Sequence, residues 1–88
     1  MRERTIWKYE LKVTDHQVIK IPINFKILSC KVHHGELCLW CLIHPDNIVG
    51  EMIIDIYGTG HPLPRRNLGT HIDTVIDGAK VWHVFRVI

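Results

Sequence analysis

The stretch from Gly58 to Thr70 carries residue types that could hold an anion. Glycines let backbone N–H groups approach a ligand closely, threonine hydroxyls donate hydrogen bonds, and arginine guanidinium groups match the oxygens of a phosphate or carboxylate. The spacing follows neither the GxGxxG nor the Walker pattern, and it precedes a strand rather than a helix. It predicts a site for a phosphorylated or nucleotide-like small molecule, built from Gly58, Thr59, Gly60, His61, Arg65, Arg66 and Thr70.

The same stretch can also be interpreted as a plain connection between strands. Its glycines and prolines break regular structure, and its arginines would then be solvated or paired with Asp55 or Asp73. Long loops without secondary structure are uncommon in small domains and are often functional. Both interpretations stay open at the level of the sequence.

Potential zinc ligands are concentrated between Cys30 and His44. Zinc sites need four cysteine or histidine side chains that converge. If His34-Gly35 forms the centre of a hairpin, Cys30 and Cys41 point to the apolar face of the sheet, and Cys38 points to the other face. We therefore expect structural thiols and neither a metal site nor a cofactor. The apolar face would also carry Leu28, Val32, Leu37 and Leu39.

No catalytic constellation is recognisable. Ser29 lies within a predicted strand rather than on a nucleophile elbow. His61 or His83 could approach an aspartate as an acid–base pair, but proximity is common in so short a chain. The sequence favours a protein that is not an enzyme, with no catalytic residue.

The composition is that of one ordinary folded domain over residues 1–88. The chain has 88 residues, of which 47% are hydrophobic and 23% charged, and its net charge is +2. The basic residues are interleaved with acidic ones, so the charge pattern argues against nucleic acid as a partner. An odd count of three cysteines and charges near the N-terminus favour reduced thiols in the cytoplasm, and no apolar run suffices for a membrane-spanning helix.

Alternating apolar and polar residues, separated by turn signals about every ten residues, predict an all-β fold. We expect a small antiparallel β-sandwich or a partly open barrel of about seven short strands. Pro22 would confine the second strand to an edge or a bulge, and Asp77-Gly78 would form a hairpin turn. The predicted strands are 7–13, 19–23, 26–32, 37–43, 52–57, 69–76 and 79–88.

The fourth predicted strand is apolar at nearly every position, which is typical of a strand covered on both faces, either a central strand of a sandwich or a strand that faces another subunit. Trp40 within it, and Trp82 in the last strand, are the predicted interface residues because large aromatic side chains often anchor contacts between chains. Open sheet edges in so small a protein also favour a homo-oligomer.

Several short patterns are spread over most of the chain: Ile6-Trp7-Lys8-Tyr9-Glu10-Leu11, Asp15-His16-Gln17, Ile21-Pro22, Ile27-Leu28, Gly35, Cys38-Leu39-Trp40, Ile56-Tyr57-Gly58-Thr59-Gly60-His61-Pro62 and Trp82-His83-Val84-Phe85. With these patterns the chain resembles a family of small proteins encoded by tailed phages and prophages. That resemblance implies action by binding, for example to host-defence components or their nucleotide signals, in the cytoplasm of a bacterial host, and it implies no catalytic residue.

Two hypotheses about function follow. In the first, the chain is a non-enzymatic, homo-oligomeric binding protein that sequesters a phosphorylated or nucleotide-like ligand through the loop from Gly58 to Thr70. In the second, it is a protein-interaction or assembly module, such as a virion accessory or an inhibitor of a host protein. Its apolar strand surfaces would then make the contacts with a host or phage protein.

Overall fold

The computed structural model describes residues 3–87, which form seven strands in two antiparallel sheets that do not close into a barrel. The predicted all-β class and the number of strands are confirmed, and the architecture is the sandwich. The strands are β1 (Thr5–Leu11), β2 (Gln17–Pro22), β3 (Lys26–His33), β4 (Glu36–Ile43), β5 (Val49–Gly58), β6 (Thr70–Asp77) and β7 (Lys80–Val87).

One sheet has three strands in the order β1-β4-β3, and the other has four in the order β2-β5-β7-β6. The core lies between them, because every strand turns an apolar face inward. β3 packs against β6 along one side of the sandwich. The buried apolar core residues are Leu11, Ile21, Cys30, Leu37, Leu39, Cys41, Ile43, Met52, Ile54, Ile56, Val75 and Val84.

The outer face of β4 is only partly covered within the single chain. Cys38 on this face is buried, whereas Trp40 and Leu42 are partly buried, so cover of this face by another chain stays a prediction. A register shift between Ile27 and Ser29 adds Leu28 as an extra residue, which is left 45% exposed. Strict alternation assumes that each residue has one partner on the neighbouring strand, which a bulge breaks. Leu28 therefore does not lie on the core face, where it was predicted.

β5 and β6 run parallel to each other, because each pairs antiparallel with β7 between them. A chain that leaves β5 must therefore return along the sheet before β6 can begin. Residues 59–69 make this return without regular structure. The order of the strands thus requires the long loop that the sequence displays.

Two tight turns follow from positive φ angles. His34 (φ 51°) and Gly35 (φ 78°) form the predicted turn between β3 and β4. In the last hairpin Asp77 pairs with Lys80, so the two central residues are Gly78 and Ala79, one position later than predicted. Gly78 (φ 61°) occupies the first central position, where a II′ turn requires glycine.

Strand β1 begins and ends two residues earlier than predicted. The backbone N–H of Lys12 donates to Oε1 of Gln17 at 3.1 Å, and the Gln17 amide donates to the Lys12 carbonyl at 2.6 Å. These bonds satisfy the Lys12 backbone outside the sheet, which ends the strand at Leu11. No helix occurs among residues 3–87, and hence none that is long and apolar enough to cross a membrane.

Candidate functional site

The loop of residues 59–69 is tied to the four-stranded sheet by a buried carboxylate. Asp55 on β5 is fully buried and is the one charged residue that is buried within residues 3–87. Its Oδ2 atom accepts a hydrogen bond from the Arg66 guanidinium at 2.5 Å and another from the Tyr57 hydroxyl at 3.1 Å. Its Oδ1 atom lies 2.7 Å from Nδ1 of His16. Three chain segments therefore meet at one carboxyl group.

These contacts explain how a charge can be buried here. Burial by itself raises the pKa of the Asp55 carboxyl, but the hydrogen bonds from Arg66, His16 and Tyr57 outweigh that effect and hold the pKa below its ordinary value. The same contacts, led by the hydrogen bond to Asp55, raise the pKa of Arg66. Asp55 is thus an ionised structural group that is already satisfied.

The loop begins with a tight turn at the end of β5. The N–H of His61 donates to the carbonyl of Gly58 at 3.1 Å, and Gly60 (φ 86°) occupies the third position of the turn, as a type II turn requires. The His61 ring then lies against Gly58, where a Cβ would come within 2.8 Å of ring atom Cε1. Because Gly58 has no Cβ, the imidazole has room to lie close to the backbone.

A cleft opens between this turn and the hairpin that joins β6 to β7. We call it the hairpin cleft; its volume is about 530 Å³, within the range of small-molecule sites. It combines an ammonium group, an imidazole, a hydroxyl and an indole ring. Its lining residues are Gly58, Thr59, His61, Ala79, Lys80, Val81 and Trp82.

Polar side chains continue from the hairpin cleft along the sheet. The Thr59 hydroxyl lies 2.8 Å from Nε2 of His83, and Nδ1 of His83 lies 3.1 Å from the Thr74 hydroxyl. Thr74 in turn lies 3.0 Å from Nε2 of His71. This arrangement fixes the Thr59 side chain at the rim of the cleft. Within residues 3–87, it brings no carboxylate into hydrogen-bond contact with His83, as an acid–base pair with Asp55 or Asp73 would require.

The structure separates the residues of the predicted ligand site. Gly58, Thr59 and His61 line the hairpin cleft, whereas Arg66 is occupied by Asp55. Thr70 pairs with Arg86 while Gly58 pairs with Trp82, which places the two loop ends about 13 Å apart along β7 at roughly 3.3 Å per residue.

Two further members of the predicted set are exposed at other points of the loop. Gly60 sits at its turn, and Arg65 forms no side-chain hydrogen bond or ion pair within residues 3–87. A second cleft of about 480 Å³ lies beside Arg66 and shares His61 with the first. Its other lining residues are Asp15, His16, Tyr57, Pro62 and Pro64.

Sequence reasoning missed two residues of this region. His16 appears in the sequence only within the pattern Asp15-His16-Gln17, and no local pattern links it to Asp55, which is 39 positions away. Lys80 follows the predicted turn at Asp77-Gly78, and its nearness to Gly58 depends on the pairing of β5 with β7. For Lys80, the hairpin signal was available, but the sheet order was not.

The cysteines lie as the hairpin geometry predicted. Cys30 and Cys41 are buried in the core, where burial raises the pKa of their thiols to about 12 and about 11. Cys38 lies on the opposite face between Glu10 and Lys31, and it is also buried. Within the described part of the chain, no three His, Cys, Asp or Glu side chains are grouped so as to hold a metal ion.

The two predicted interface tryptophans occupy different surroundings. Trp40 lies on the outer face of the three-stranded sheet, with the His33 ring 5.7 Å away between centroids. Trp82 packs against the core and lines the hairpin cleft. Its indole nitrogen is buried and has no hydrogen-bond partner among residues 3–87.

A family model described as Domain of unknown function (DUF7352) matches residues 2–88, which is nearly the whole chain. No significant match was found among curated proteins or among solved structures. The family description names no source and no ligand, so the resemblance to phage-encoded proteins stays a prediction.

Proposed function

The chain belongs to the family described as Domain of unknown function (DUF7352), and we propose that it is a non-enzymatic binding protein for a phosphorylated or nucleotide-like small molecule. The ligand binds in the hairpin cleft rather than along the whole loop. The observation that carries this proposal is the joint presence of Lys80, His61, Thr59 and Trp82 around one cleft of about 530 Å³.

The chemistry of the cleft suits such a ligand. The Lys80 ammonium supplies a positive charge for phosphate oxygens, and the Thr59 hydroxyl, fixed by His83, supplies a directional hydrogen bond. The Trp82 ring offers an apolar face for a base or sugar. Among the described residues, no acidic side chain lines this cleft, so no negative charge there repels a bound anion.

The unpaired indole nitrogen of Trp82 adds a second argument. A buried donor without an acceptor costs stability, and such groups in folded proteins call for a specific explanation. An acceptor atom on a bound ligand, reached by a small shift of the ring, would satisfy it. The free energy that the unpaired indole N–H costs in the protein without ligand is then recovered when the ligand binds.

Isothermal titration calorimetry with ATP, AMP and inorganic phosphate as probes tests the proposal. We expect binding of at least one probe and a loss of about tenfold to a hundredfold in affinity for Lys80→Ala, the range for one hydrogen bond to a charged group. Lys31→Ala, which removes the same charge from the other sheet, is the matched control and should bind like the unmodified chain.

Arg65→Ala decides between the hairpin cleft and the loop. Arg65 is exposed and unpaired within residues 3–87, so its removal leaves the fold intact. Unchanged affinity supports the hairpin cleft. A loss in Arg65→Ala but not in Lys80→Ala would move the ligand to the loop, and no heat with any probe would contradict ligand binding of this class.

A second candidate function, as a protein-interaction module, is favoured by the open outer face of the three-stranded sheet. Ile6 is 54% exposed there, and it is accompanied by Leu28, Trp40 and Leu42. Apolar side chains gathered on one open face are typical of contact surfaces. Substitution of Trp40 by serine should abolish such a contact without changing the titration of ATP or phosphate.

A further inference from the structure

The four edge strands of the sandwich differ in how they are protected against pairing with another chain. Edge strands expose unpaired backbone groups, and proteins block them with proline, bulges or a covering segment. β2 carries Pro22, and β6 has a register shift between His71 and Asp73. β3 has its own shift at Leu28 and packs against β6.

Within residues 3–87, strand β1 carries neither a proline nor a bulge, and its protection is limited to the charges of Lys8 and Glu10. Its register with β4 is continuous from Thr5 opposite Ile43 to Leu11 opposite Leu37, and its sequence contains no proline. The backbone of Lys12 is already bonded to the Gln17 side chain, so the regular edge stops at Leu11. A straight edge of seven residues is therefore available for pairing.

Large apolar side chains lie exposed on this same strand. Ile6 is 54% exposed and Trp7 is 44% exposed, although Trp7 lies opposite the buried Cys41 and so belongs to the core side of the sheet. A tryptophan on the core side is left uncovered because the sheet stops beside it. Another strand next to β1 would continue the sheet and cover the ring.

The charges on β1 are complementary to those of a second copy of the same strand. We propose that β1 pairs antiparallel with β1 of a partner subunit, in a register centred on Tyr9. Lys8 then lies opposite Glu10 of the partner subunit, and Glu10 lies opposite the partner's Lys8. Trp7 lies opposite Leu11 of the partner subunit, so apolar side chains meet on the core side while opposite charges meet on the outer side.

The neighbouring registers are less favourable. A pairing centred on Lys8 sets that lysine directly against the partner's Lys8, and like charges at this distance are destabilising. A pairing centred on Trp7 sets Ile6 against the partner's Lys8 and moves Glu10 beyond the end of the partner's strand. Within β1, only the register on Tyr9 forms two ion pairs and two apolar pairs, and it joins the sheets into one of order β3-β4-β1-β1-β4-β3.

Sedimentation velocity over a concentration series tests the proposal. The unmodified chain should be a dimer at concentrations of about 100 µM, whereas Glu10→Lys and Lys8→Glu, which each set like charges opposite one another, should raise the dissociation constant by roughly tenfold or more. Glu36→Lys is the matched control, because it makes the same charge change on β4 of the same sheet, and it should leave the dimer intact.

Mixing the two variants tests the register itself. The Glu10→Lys chain carries lysine at both positions 8 and 10, and the Lys8→Glu chain carries glutamate at both, so opposite charges face each other throughout a mixed dimer. An equal mixture should therefore form dimers although each variant alone is monomeric. Such a rescue also shows that both variants are folded. A monomeric unmodified chain, a dimer that Glu10→Lys leaves unchanged, or no rescue in the mixture would overturn the proposal.

Discussion

The guanidinium Nη2 atom of Arg66 lies 2.5 Å from Oδ2 of Asp55, so a partly exposed cation covers a fully buried anion. The Arg66 side chain is 47% exposed, and the Asp55 side chain is not exposed at all. This contact fixes the return loop on the outer face of β5. Because Arg66 is paired with Asp55, it is no longer available as one of the two arginines predicted to bind a phosphate in this loop.

Replacement of Asp55 by asparagine should destabilise the fold. The variant removes a buried charge whose hydrogen bonds to Arg66, His16 and Tyr57 are all formed, and losses of this kind cost about 1–3 kcal/mol in free energy of unfolding. Urea denaturation of both chains measures this difference in the free energy of unfolding. Glu51→Gln removes an exposed ion pair with Lys20 and should cost less than about 1 kcal/mol, as surface pairs do.

The Asp55 contribution should also depend on pH with a definite sign. Its pKa in the folded chain lies below that of an unfolded aspartate, so the unfolded state takes up the proton first as the pH falls. The stabilisation is therefore present above about pH 4 and is lost as the pH drops through the folded pKa. Denaturation between neutral and acidic pH should show the gap between the unmodified chain and Asp55→Asn closing; parallel curves would contradict this.

Arg66 and Arg65 should behave differently when each is replaced by alanine. Arg66→Ala removes the contact that fixes the loop, so thermolysin, which cuts before large apolar residues, should cleave faster before Leu68 in the same loop. Arg65→Ala removes an equal charge that has no partner among the described residues, and it should leave the rate unchanged. Equal rates in both variants would show that the ion pair does not hold the loop.

Gly69 and Gly60 allow two effects of an added side chain to be separated: the strain of a positive φ angle and the steric overlap of a Cβ with its neighbours. Both have positive φ angles, 88° and 86°, but a Cβ at Gly69 would overlap the Arg86 carbonyl, whereas a Cβ at Gly60 meets nothing within 4 Å. Gly60→Ala should cost about 1–2 kcal/mol for the left-handed backbone alone. Gly69→Ala should cost more and lower the melting temperature further, and a reversed order would be inconsistent with this packing.

The three cysteines should be inert in the native protein. Cys30, Cys38 and Cys41 are at most 1% exposed, and burial raises the pKa of all three thiols, so almost no thiolate is present near neutral pH. Titration with Ellman's reagent should detect no rapid reaction before unfolding and all three thiols in denaturant. A fast-reacting thiol in the native state would show that the core opens locally.

The fold could be predicted well because its signals are local. Alternation and turn signals predicted the seven strands, and the turns at His34-Gly35 and Gly78 contain the glycines that mark them. The misplacements arose between strands: the bulge in the pairing of β3 with β4 moved Leu28 outward, and the Gln17 side chain of β2 ended β1 at Leu11. A bulge or a side-chain cap depends on contacts with another strand, which one strand's pattern does not carry.

The candidate site was only partly predictable because it is assembled by sheet order. The glycines at positions 58 and 60 predict the turn from the sequence. The approach of Lys80 to Thr59, by contrast, requires that β7 lie beside β5. Likewise, Asp55 was recognised as a partner for an arginine, whereas His16 was not. Composition shows which groups are available, and only the pairing of distant strands decides which of them meet.

The position of β7 between β5 and β6 also constrains the order in which the chain can fold during synthesis. Both flanking strands leave the ribosome before the strand that joins them, so the four-stranded sheet stays divided until β7 has been made. Until then, β5 exposes one unpaired edge and β6 has no partner strand in this sheet among the described residues. Because the turn at Gly78 is short, we expect β7 to pair with β6 first and then to insert beside β5, which completes the sheet.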